Sequence, residues 1–426
     1  SIFGLKLINI PYRFRVIALL CSLTALTYLD RICISIVGVR IKADLHLSNE
    51  QFGWVLAAFA LAYALFEIPS GMVGDRIGPR KLFMRIVVWW SLFTAITGLV
   101  NGLIALLVVR FLFGAGESGT YPNSILVVSR WFPLNETGKA LSWVGMGSQI
   151  GAGIAPLIIV PIAAAYGWRV PFFVIGCIGI FWVGVCYSWF RDFPAQMKLM
   201  PAKEKKMIQS SCRHKAEQHL VPWKLILRNG TLWPLLLMYF FSQWASYFFI
   251  AWMPVYLQEG RGFSEHSMKE ITSIVFMVGI CGYLVGGAAG DWLLERKGLK
   301  KARRLTGMIG LGSCGFLLWM AAFCSNNWIT AGCIIGANFS FSFGVMVSFA
   351  VCADIGRNNA GTITGAMNFS GQMGAFCFAL IFGKIVEVTH HFDYPLYLLV
   401  IVSFTGCLLW LAIDPEKPLP NMQKST

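Results

Sequence analysis

Apolar residues recur in twelve long runs along the chain, separated by short polar connections. A bilayer core about 30 Å thick is spanned by roughly 20 residues of α-helix, and each run is about that long. The pattern therefore predicts an all-α membrane protein with twelve transmembrane helices. Their limits are 16–39, 51–73, 82–100, 103–130, 137–163, 168–190, 232–257, 270–294, 305–324, 327–354, 360–386 and 392–413.

The longest polar stretch divides these runs into six and six. We therefore expect an N-terminal six-helix bundle over 1–190, a cytoplasmic central loop over 191–231 and a C-terminal six-helix bundle over 232–426. A polar connection of this length is typical of a boundary between domains.

The two halves also share sequence. SGMVGDRIGPRK at 70–81 matches GGAAGDWLLERKG at 286–298, and SQIGA at 148–152 matches GQMGA at 371–375. Two matches at nearly the same offset indicate a duplicated six-helix unit. Paired halves of this kind place a binding site on the axis between them.

Composition and charge agree with a membrane class. Hydrophobic residues make up 57% of the chain and charged residues 13%, roughly half the usual charged share, which excludes a water-soluble enzyme. The net charge is +15, and most Lys and Arg fall on one side of the predicted spans, so both termini are expected in the cytoplasm. We expect lipid headgroups, not nucleic acid, to meet this positive charge. The opposite side carries Arg40, Lys42, Arg169, Arg261, Lys269 and Lys384.

Two arginines lie inside predicted spans, Arg31 in the first and Arg110 in the fourth. An arginine at bilayer depth costs about 3 to more than 10 kcal/mol, so each needs an anion or a water-filled cavity. The sequence offers Asp30, Glu67 and Glu117 as anions.

Spacing refines this picture. Arg110 and Glu117 are seven residues apart and share one helix face, about 10 Å from each other, so they can line one cavity. Asp30 and Arg31 are adjacent, about 100° apart, so one can face a ligand while the other reaches a neighbouring helix. The alternative is that these four residues only neutralise each other as a lock between spans 1 and 4.

Several amides and hydroxyls fall in the same spans, where they are costly unless paired. A ligand rich in hydroxyls would pair them, and a bond between helices would do so equally well. These candidate ligand contacts are Tyr28, Tyr63, Gln149, Gln243, Tyr247, Asn368 and Ser370.

The connection between spans 2 and 3 combines glycines, a carboxylate and cations, which suggests a gating element that changes partners between states. A topological role, holding this loop in the cytoplasm, is the alternative. The gating residues are Gly71, Asp75, Arg76, Gly78, Arg80 and Lys81, with Asp291 as the second-half counterpart of Asp75.

Nothing in the spans indicates catalysis. GAGESG at 114–119 and GLGSCG at 310–315 fit the GxGxxG string, but neither follows a strand, so helix packing explains them. The spans hold no nucleophile–base pair or metal cluster, so we expect no enzyme activity and no cofactor apart from protons as the coupling ion.

These motifs resemble a known family. GDRIGPRK with its second copy is similar to the signature loop of the major facilitator superfamily. YLDR at 28–31, RFLFGAGESGTYPNSILVVSRWFP at 110–133 and MNFSGQMG at 367–374 resemble its anion:cation symporter branch. That branch includes bacterial proton-coupled carriers of galactonate, glucarate and hexuronates, and eukaryotic organic-anion and vesicular glutamate carriers.

The resemblance implies roles for individual residues. Arg31 and Arg110 match arginines associated with the substrate carboxylate, and Asp30 and Glu117 match acids that take up protons. The resemblance also implies that four residues line the sugar-acid site, namely Tyr28, Tyr63, Gln149 and Asn368. The sequence departs from the galactonate carriers in span 10, which offers Ser342 and Ser348 without the large aromatic placed there.

We therefore expect inward symport of a small organic anion, a sugar acid, with protons, by alternating access of the two halves. Burial favours the neutral form of a carboxylic acid and a nearby guanidinium favours the charged form, which would tie substrate binding to protonation. The alternatives are a voltage-driven or facilitative carrier of organic or inorganic anions and a non-transporting solute sensor. A monomer in a bacterial inner membrane is expected.

Overall fold

The computed structural model describes residues 11–132, 134–197, 200–211, 230–356 and 360–417. These residues form helices joined by short connections. The first half contains α1 Tyr12–Ile36, α2 Gly38–Leu45, α3 Asn49–Ile77, α4 Pro79–Thr97, α5 Leu103–Glu117, α6 Thr120–Trp131, α7 Leu134–Tyr166 and α8 Val170–Trp189. The central segment contributes α9 Ala202–Ser211. The second half contains α10 Leu232–Tyr247, α11 Glu265–Lys297, α12 Leu299–Phe323, α13 Asn327–Gly356, α14 Ala360–Thr389 and α15 Tyr394–Leu409.

A helix lies at each of the twelve apolar runs, although the bounds differ in places. Run 103–130 consists of two helices, α5 and α6, and α10 continues through π-helical turns to Gly260. Helix α12 begins at Leu299, six residues before its apolar run. Its first turns carry the basic residues Lys300, Lys301 and Arg303, which lie outside the apolar part of the helix. Within the described ranges, nine helices are long and apolar enough to cross a membrane, and α15 is a shorter apolar helix.

The pattern of burial is that of a protein in lipid. Large apolar side chains such as Phe181 (73% exposed) and Ile104 (72% exposed) point outward from the bundle, whereas Arg110 and Glu117 are buried within it. A soluble monomer rarely leaves so much apolar surface exposed. Charged side chains inside and apolar side chains outside identify the outer surface of the bundle as its lipid-facing side.

The internal repeat is present in the backbone. Gly78 links α3 to α4 with φ of 88°, and Gly298 links α11 to α12 with φ of 78°, a conformation that glycine adopts without a steric penalty. Asp75 lies two residues before the end of α3, whereas Asp291 lies six residues before the end of α11. The second copy therefore has about one extra turn of helix between its acid and its glycine.

The second repeated motif has one packing role in both halves. A Cβ atom on Gly151 of α7 would lie 2.0 Å from the carbonyl oxygen of Ala25 on α1. A Cβ atom on Gly374 of α14 would lie 2.2 Å from the carbonyl oxygen of Phe240 on α10. Each glycine thus lets the fifth helical run of its half pack directly on the first, which supports the duplication predicted from the sequence.

The two halves meet firmly at one end of the bundle, which we call the closed end and which comprises residues 38–53, 252–265 and 379–387. Arg40 donates to Glu265 from Nε at 2.9 Å and from Nη2 at 2.6 Å. Phe52 of the first half meets Trp252 of the second half edge to face, with ring centroids 5.7 Å apart. Further ion pairs between the halves join Lys42 to Glu259 and Lys384 to Glu50. The chain connections at Gly78 and Gly298 lie at the opposite end.

Candidate functional site

A polar cavity of about 120 Å³ that opens to solvent lies between the two halves. Both halves contribute to its wall, as expected for a site on the pseudo-symmetry axis. Its lining from the first half is Thr24, Thr27, Tyr28, Arg31, Tyr63, Glu67, Thr120, Tyr121, Val144, Gly145 and Ser148. Its lining from the second half is Tyr239, Gln243, Ser246, Tyr283, Phe341, Val345, Met346, Phe349, Asn368 and Gln372.

Arg31 is the guanidinium that faces this cavity, with 11% of its side chain exposed. Its Nε donates to Oε1 of Glu117, and its central carbon lies 4.7 Å from the Tyr63 ring centroid and 5.0 Å from that of Tyr28. Cation–π contacts of this kind stabilise a partly desolvated guanidinium. The contact with Glu117 occupies Nε, one of the two donors of the side-on fork of the guanidinium, so a carboxylate that binds through that fork must displace Glu117.

Arg110 lies behind the cavity wall. It is 3% exposed, is absent from the lining, and packs on Phe113 and Phe59 at 4.6 and 5.3 Å from the ring centroids. The same Phe59 ring lies 5.2 Å from the Arg31 guanidinium carbon, so both arginines contact one phenyl group. The expectation that both arginines face a shared cavity is therefore wrong for Arg110 in this conformation.

Close packing of α5 on α3 brings the Glu117 carboxylate to α1. A Cβ atom on Gly114 would lie 2.5 Å from the carbonyl oxygen of Phe59, so only glycine permits this approach. Glu117 is fully buried, and its Oε2 has no partner among the described residues. Its partner is Arg31 and not Arg110. This pair joins spans 1 and 4, as the lock hypothesis requires, but it also borders the cavity through Arg31.

Asp30 and Arg31 diverge as their spacing predicts. Asp30 is 2% exposed and accepts a hydrogen bond from Thr94 on α4 at 2.8 Å, while its Oδ2 has no partner in the described part of the chain. Its charged neighbours are Glu117 and Arg110. Asp30 is thus buried beside the cavity, and Arg31 faces it.

The predicted polar contacts divide into two groups. Tyr28, Tyr63, Gln243 and Asn368 line the cavity. The other three lie outside the lining and bond or pack between helices: Tyr247 donates to Leu56 at 2.7 Å, Ser370 donates to Leu236 at 2.9 Å, and Gln149 packs against Gly279. In this conformation Tyr247 and Ser370 therefore bond between helices, and their role in ligand binding stays a prediction.

Span 10 presents aromatic rings of its own to the cavity. Phe341 and Phe349 of α13 line the cavity, whereas Ser342 and Ser348 are buried away from it. Phe349 lies edge to face with Tyr239, at 6.0 Å between ring centroids. That helix therefore does present aromatic rings to the cavity.

The sequence indicated Glu67 only as a candidate anion for the buried arginines, and it did not indicate Tyr121, Tyr239 or Tyr283. Glu67 is 3% exposed and accepts a hydrogen bond from the Asn368 amide at 3.2 Å across the two halves. Its position four residues after Tyr63 puts both on one face of α3, a spacing that could have identified it. Tyr239 lies four residues before Gln243 on α10 and carried the same signal, whereas Tyr121 and Tyr283 are the single tyrosines of α6 and α11.

The predicted gating loop is partly described. Gly78 and Arg80 pack on Asp192, which accepts from the Arg80 backbone N–H at 2.7 Å, while Arg76, Lys81 and Asp291 are exposed. Gly71 and Asp75 lie in the last turns of α3, and the Asp75 side chain lies outside the described part. The role of this loop in gating stays a prediction.

Known proteins resemble this chain over most of its length. Residues 20–379 match the family model described as Major Facilitator Superfamily. The chain is 29% identical to a probable sulfoacetate transporter of Cupriavidus necator over 96% of this chain and 95% of that protein. It is 30% identical to a hexuronate transporter of Bacillus subtilis over 86% of each.

Solved structures share the fold. The crystal structure of a bacterial homologue of the human lysosomal transporter Spinster, inward-facing and occupied, superposes with a TM-score of 0.77. The match covers 97% of this chain and 99% of that one at 18% identity, which speaks for the fold alone. The chain therefore belongs to the Major Facilitator Superfamily and is a multi-pass membrane transporter, not an enzyme.

Proposed function

We propose that the protein carries a sugar acid, a small organic monocarboxylate, together with protons by alternating access of two six-helix halves. The observation that carries this proposal is the ion pair between Arg31 and Glu117 at the wall of a polar cavity between the halves. The relatives named for sulfoacetate and hexuronate transport support an organic acid as the substrate.

In this mechanism the substrate carboxylate binds the Arg31 guanidinium and takes the place of Glu117. A guanidinium binds a carboxylate through two parallel N–H bonds, which makes the contact strong and directional. Glu117, once it has lost its cation, becomes a buried carboxylate without a partner and takes up a proton. Substrate binding is thereby coupled to proton binding.

Asp30 is the second acid of the mechanism. Its unpartnered Oδ2 and its position beside Arg110 allow it to gain or lose a proton without leaving α1. The hydroxyl and amide groups of Tyr28, Gln243 and Asn368 can pair with the hydroxyls of a sugar acid. The predicted binding roles of Gln149, Tyr247 and Arg110 would need a different conformation, because these side chains lie outside the present lining.

We further propose twelve spans with both termini in the cytoplasm of a bacterium. The positions of Lys and Arg support this orientation. Most of the 35 fall before the first span, after the last span or in the connections on the same side as both chain ends. The closed end then faces the outside, and the conformation is inward-facing.

Purified protein in liposomes tests this function. A panel of sugar acids, aromatic acids and inorganic phosphate is added outside, and internal pH and uptake are recorded. We expect a sugar monocarboxylate to acidify the interior as it enters, and Arg31→Gln to abolish both signals. Uptake driven by voltage without acidification would instead establish the facilitative carrier, and binding without uptake would establish the sensor.

A further inference from the structure

Glu67 is a buried carboxyl on the cavity wall to which the mechanism above gives no role. It lies on α3, is 3% exposed and lines the cavity. Its Oε1 accepts a hydrogen bond from the Asn368 amide at 3.2 Å, and its Oε2 is buried without a partner among the described residues. A buried polar atom without a partner is costly, and on the wall of a binding cavity a group of the ligand can pair with it.

Glu67 lies one helical turn beyond the contact between Tyr63 and Arg31. The Arg31 guanidinium carbon is 4.7 Å from the Tyr63 ring centroid, and Glu67 follows Tyr63 by four residues on the same face of α3. Four residues of α-helix rise about 6 Å. An extended six-carbon chain, with carbon–carbon bonds of about 1.5 Å, also covers about 6 Å from its first carbon to its last. A six-carbon sugar acid with its carboxylate on Arg31 can therefore bring its other end to Glu67.

The far end of such a ligand meets no cation in the described part of the cavity. Arg31 is the one cation among the described lining residues, and the substrate carboxylate occupies it in the proposed mechanism. The other groups around Glu67 are neutral, namely Tyr63 on its own helix, Tyr121 on α6 and Asn368 on α14. A hydroxyl at this end can donate to Oε2 of Glu67. A second carboxylate would instead lie beside an acid, without a counter-charge, in a poorly hydrated site.

Resting on the proposed function, we propose that Glu67 determines which class of sugar acid the site accepts. Glu67 binds a hydroxyl at the end of the substrate opposite the carboxylate, and it excludes six-carbon acids that carry a second carboxylate at that end. Galactonate, with one carboxylate, belongs to the accepted class, and galactarate, with two, belongs to the excluded class. Selectivity of this kind combines an attractive contact with one ligand and a repulsive contact with its competitor.

Galactonate and galactarate are a matched pair of probes, because they differ only in the hydroxyl or carboxylate at carbon 6. In equilibrium binding to the purified protein in detergent, we expect the parent to prefer galactonate by about 100-fold or more, since an uncompensated buried charge is strongly unfavourable. Glu67→Gln keeps an acceptor for the Asn368 amide but replaces the acid by a neutral N–H donor, so the preference should fall to about tenfold or less. Glu270→Gln removes an exposed carboxyl outside the cavity lining and should keep the parent's preference.

The hydroxyl contact is tested on the parent with 6-deoxygalactonate, so this measurement does not depend on the folding of a variant. This acid lacks only the hydroxyl that donates to Glu67. Its affinity should be about tenfold lower than that of galactonate, because Oε2 is then left unpaired. Gluconate, glucarate and 6-deoxygluconate form the same series if galactonate is not bound.

Two results would overturn the proposal. One is equal affinity of the parent for the hydroxyl-bearing acid and its 6-deoxy analogue, and the other is a folded Glu67→Gln variant that keeps the parent's preference for one carboxylate over two. A parent that binds and transports galactonate and galactarate alike refutes only the role of Glu67. A parent that binds none of these acids refutes the proposed function itself.

Discussion

The Arg31 guanidinium is held between the Glu117 carboxylate and the Tyr63 ring, with Nε on Oε1 of Glu117 and its central carbon 4.7 Å from the ring centroid. A guanidinium carries its N–H donors in one rigid fork, so Glu117 and an incoming carboxylate must use the same limited set of donors. Substrate and Glu117 therefore compete for one cation. This competition is the physical basis of the coupling that we propose.

Glu117→Gln separates coupling from binding. The amide can still accept from Arg31 but carries no titratable proton, so a pH gradient should no longer concentrate the substrate and the accumulation ratio should fall to about one. Exchange of internal for external substrate should persist. In liposomes, concentrative uptake measures the proton-driven accumulation and counterflow measures the exchange. Glu295→Gln, at an exposed position, serves as the control. Accumulation by Glu117→Gln at the parent's level would contradict the assignment.

Arg31→Lys tests the two-point contact with the substrate. A lysine keeps the charge but loses the planar fork and its stacking on Tyr28 and Tyr63, so we expect substrate affinity to fall about 10–100-fold. Equilibrium binding in detergent gives the affinity, and thermal unfolding shows whether the variant is folded. An unchanged affinity in a folded variant would mean that the substrate carboxylate binds elsewhere.

The sequence predicted the helical runs well because each needs only length and apolar composition. It also offered a charge lock between spans 1 and 4 as an alternative, since a buried charge requires a partner and few were present in the spans, but its spacing argument related Glu117 to Arg110 and not to Arg31. The divergence of Asp30 from Arg31 followed from helix geometry alone. These inferences depend on local sequence or on the scarcity of charges.

The sequence could not predict which face of each helix turns toward the cavity. Helices that are apolar all round carry little information on their rotation, because both lipid and neighbouring helices accept apolar side chains. Ser370 and Arg110 were therefore assigned to the cavity although they lie outside its lining. Tyr121 and Phe349, which line it from opposite halves, were not recognised for the same reason.

The ion pair between Asp44 and Arg169 should make the stability of the protein depend slightly on pH. The Arg169 guanidinium at 2.6 Å, assisted by the Trp168 indole at 3.1 Å, holds the pKa of Asp44 below its ordinary value. A lowered pKa in the folded state means that the pair stabilises the protein fully above the ordinary pKa of about 3.9 and loses this effect as the pH falls through the folded value.

Melting temperatures of the parent and Asp44→Asn should therefore differ by about 1–2 °C near neutral pH, because an exposed pair contributes little. The difference should vanish below the folded pKa of Asp44. A difference that persists at about pH 2 would show that Asp44 acts through something other than its charge.

The two-point contact between Arg40 and Glu265 predicts how the closed end responds to charge reversal. It joins α2 to α11 across the two halves, and Arg40→Glu replaces attraction by repulsion at the same place. Because the pair is partly exposed, the change should cost about 1 kcal/mol and shift the population toward the state open at this end about fivefold. The pairs of Lys42 with Glu259 and of Lys384 with Glu50 should keep the closed state populated.

Hydrogen exchange of the peptides over Gly38–Leu45 and the start of α3 measures this opening, since a population shift exposes the same backbone more often. Arg40→Glu should exchange faster there, and the double variant Arg40→Glu/Glu265→Arg should restore the parent's rate because the pair is re-formed with its charges exchanged. Peptides of α8, which lie away from the contact between the halves, serve as the internal reference. If the double variant exchanges as fast as Arg40→Glu alone, the ion pair does not hold the closed end and the aromatic contact of Phe52 with Trp252 becomes the element to vary.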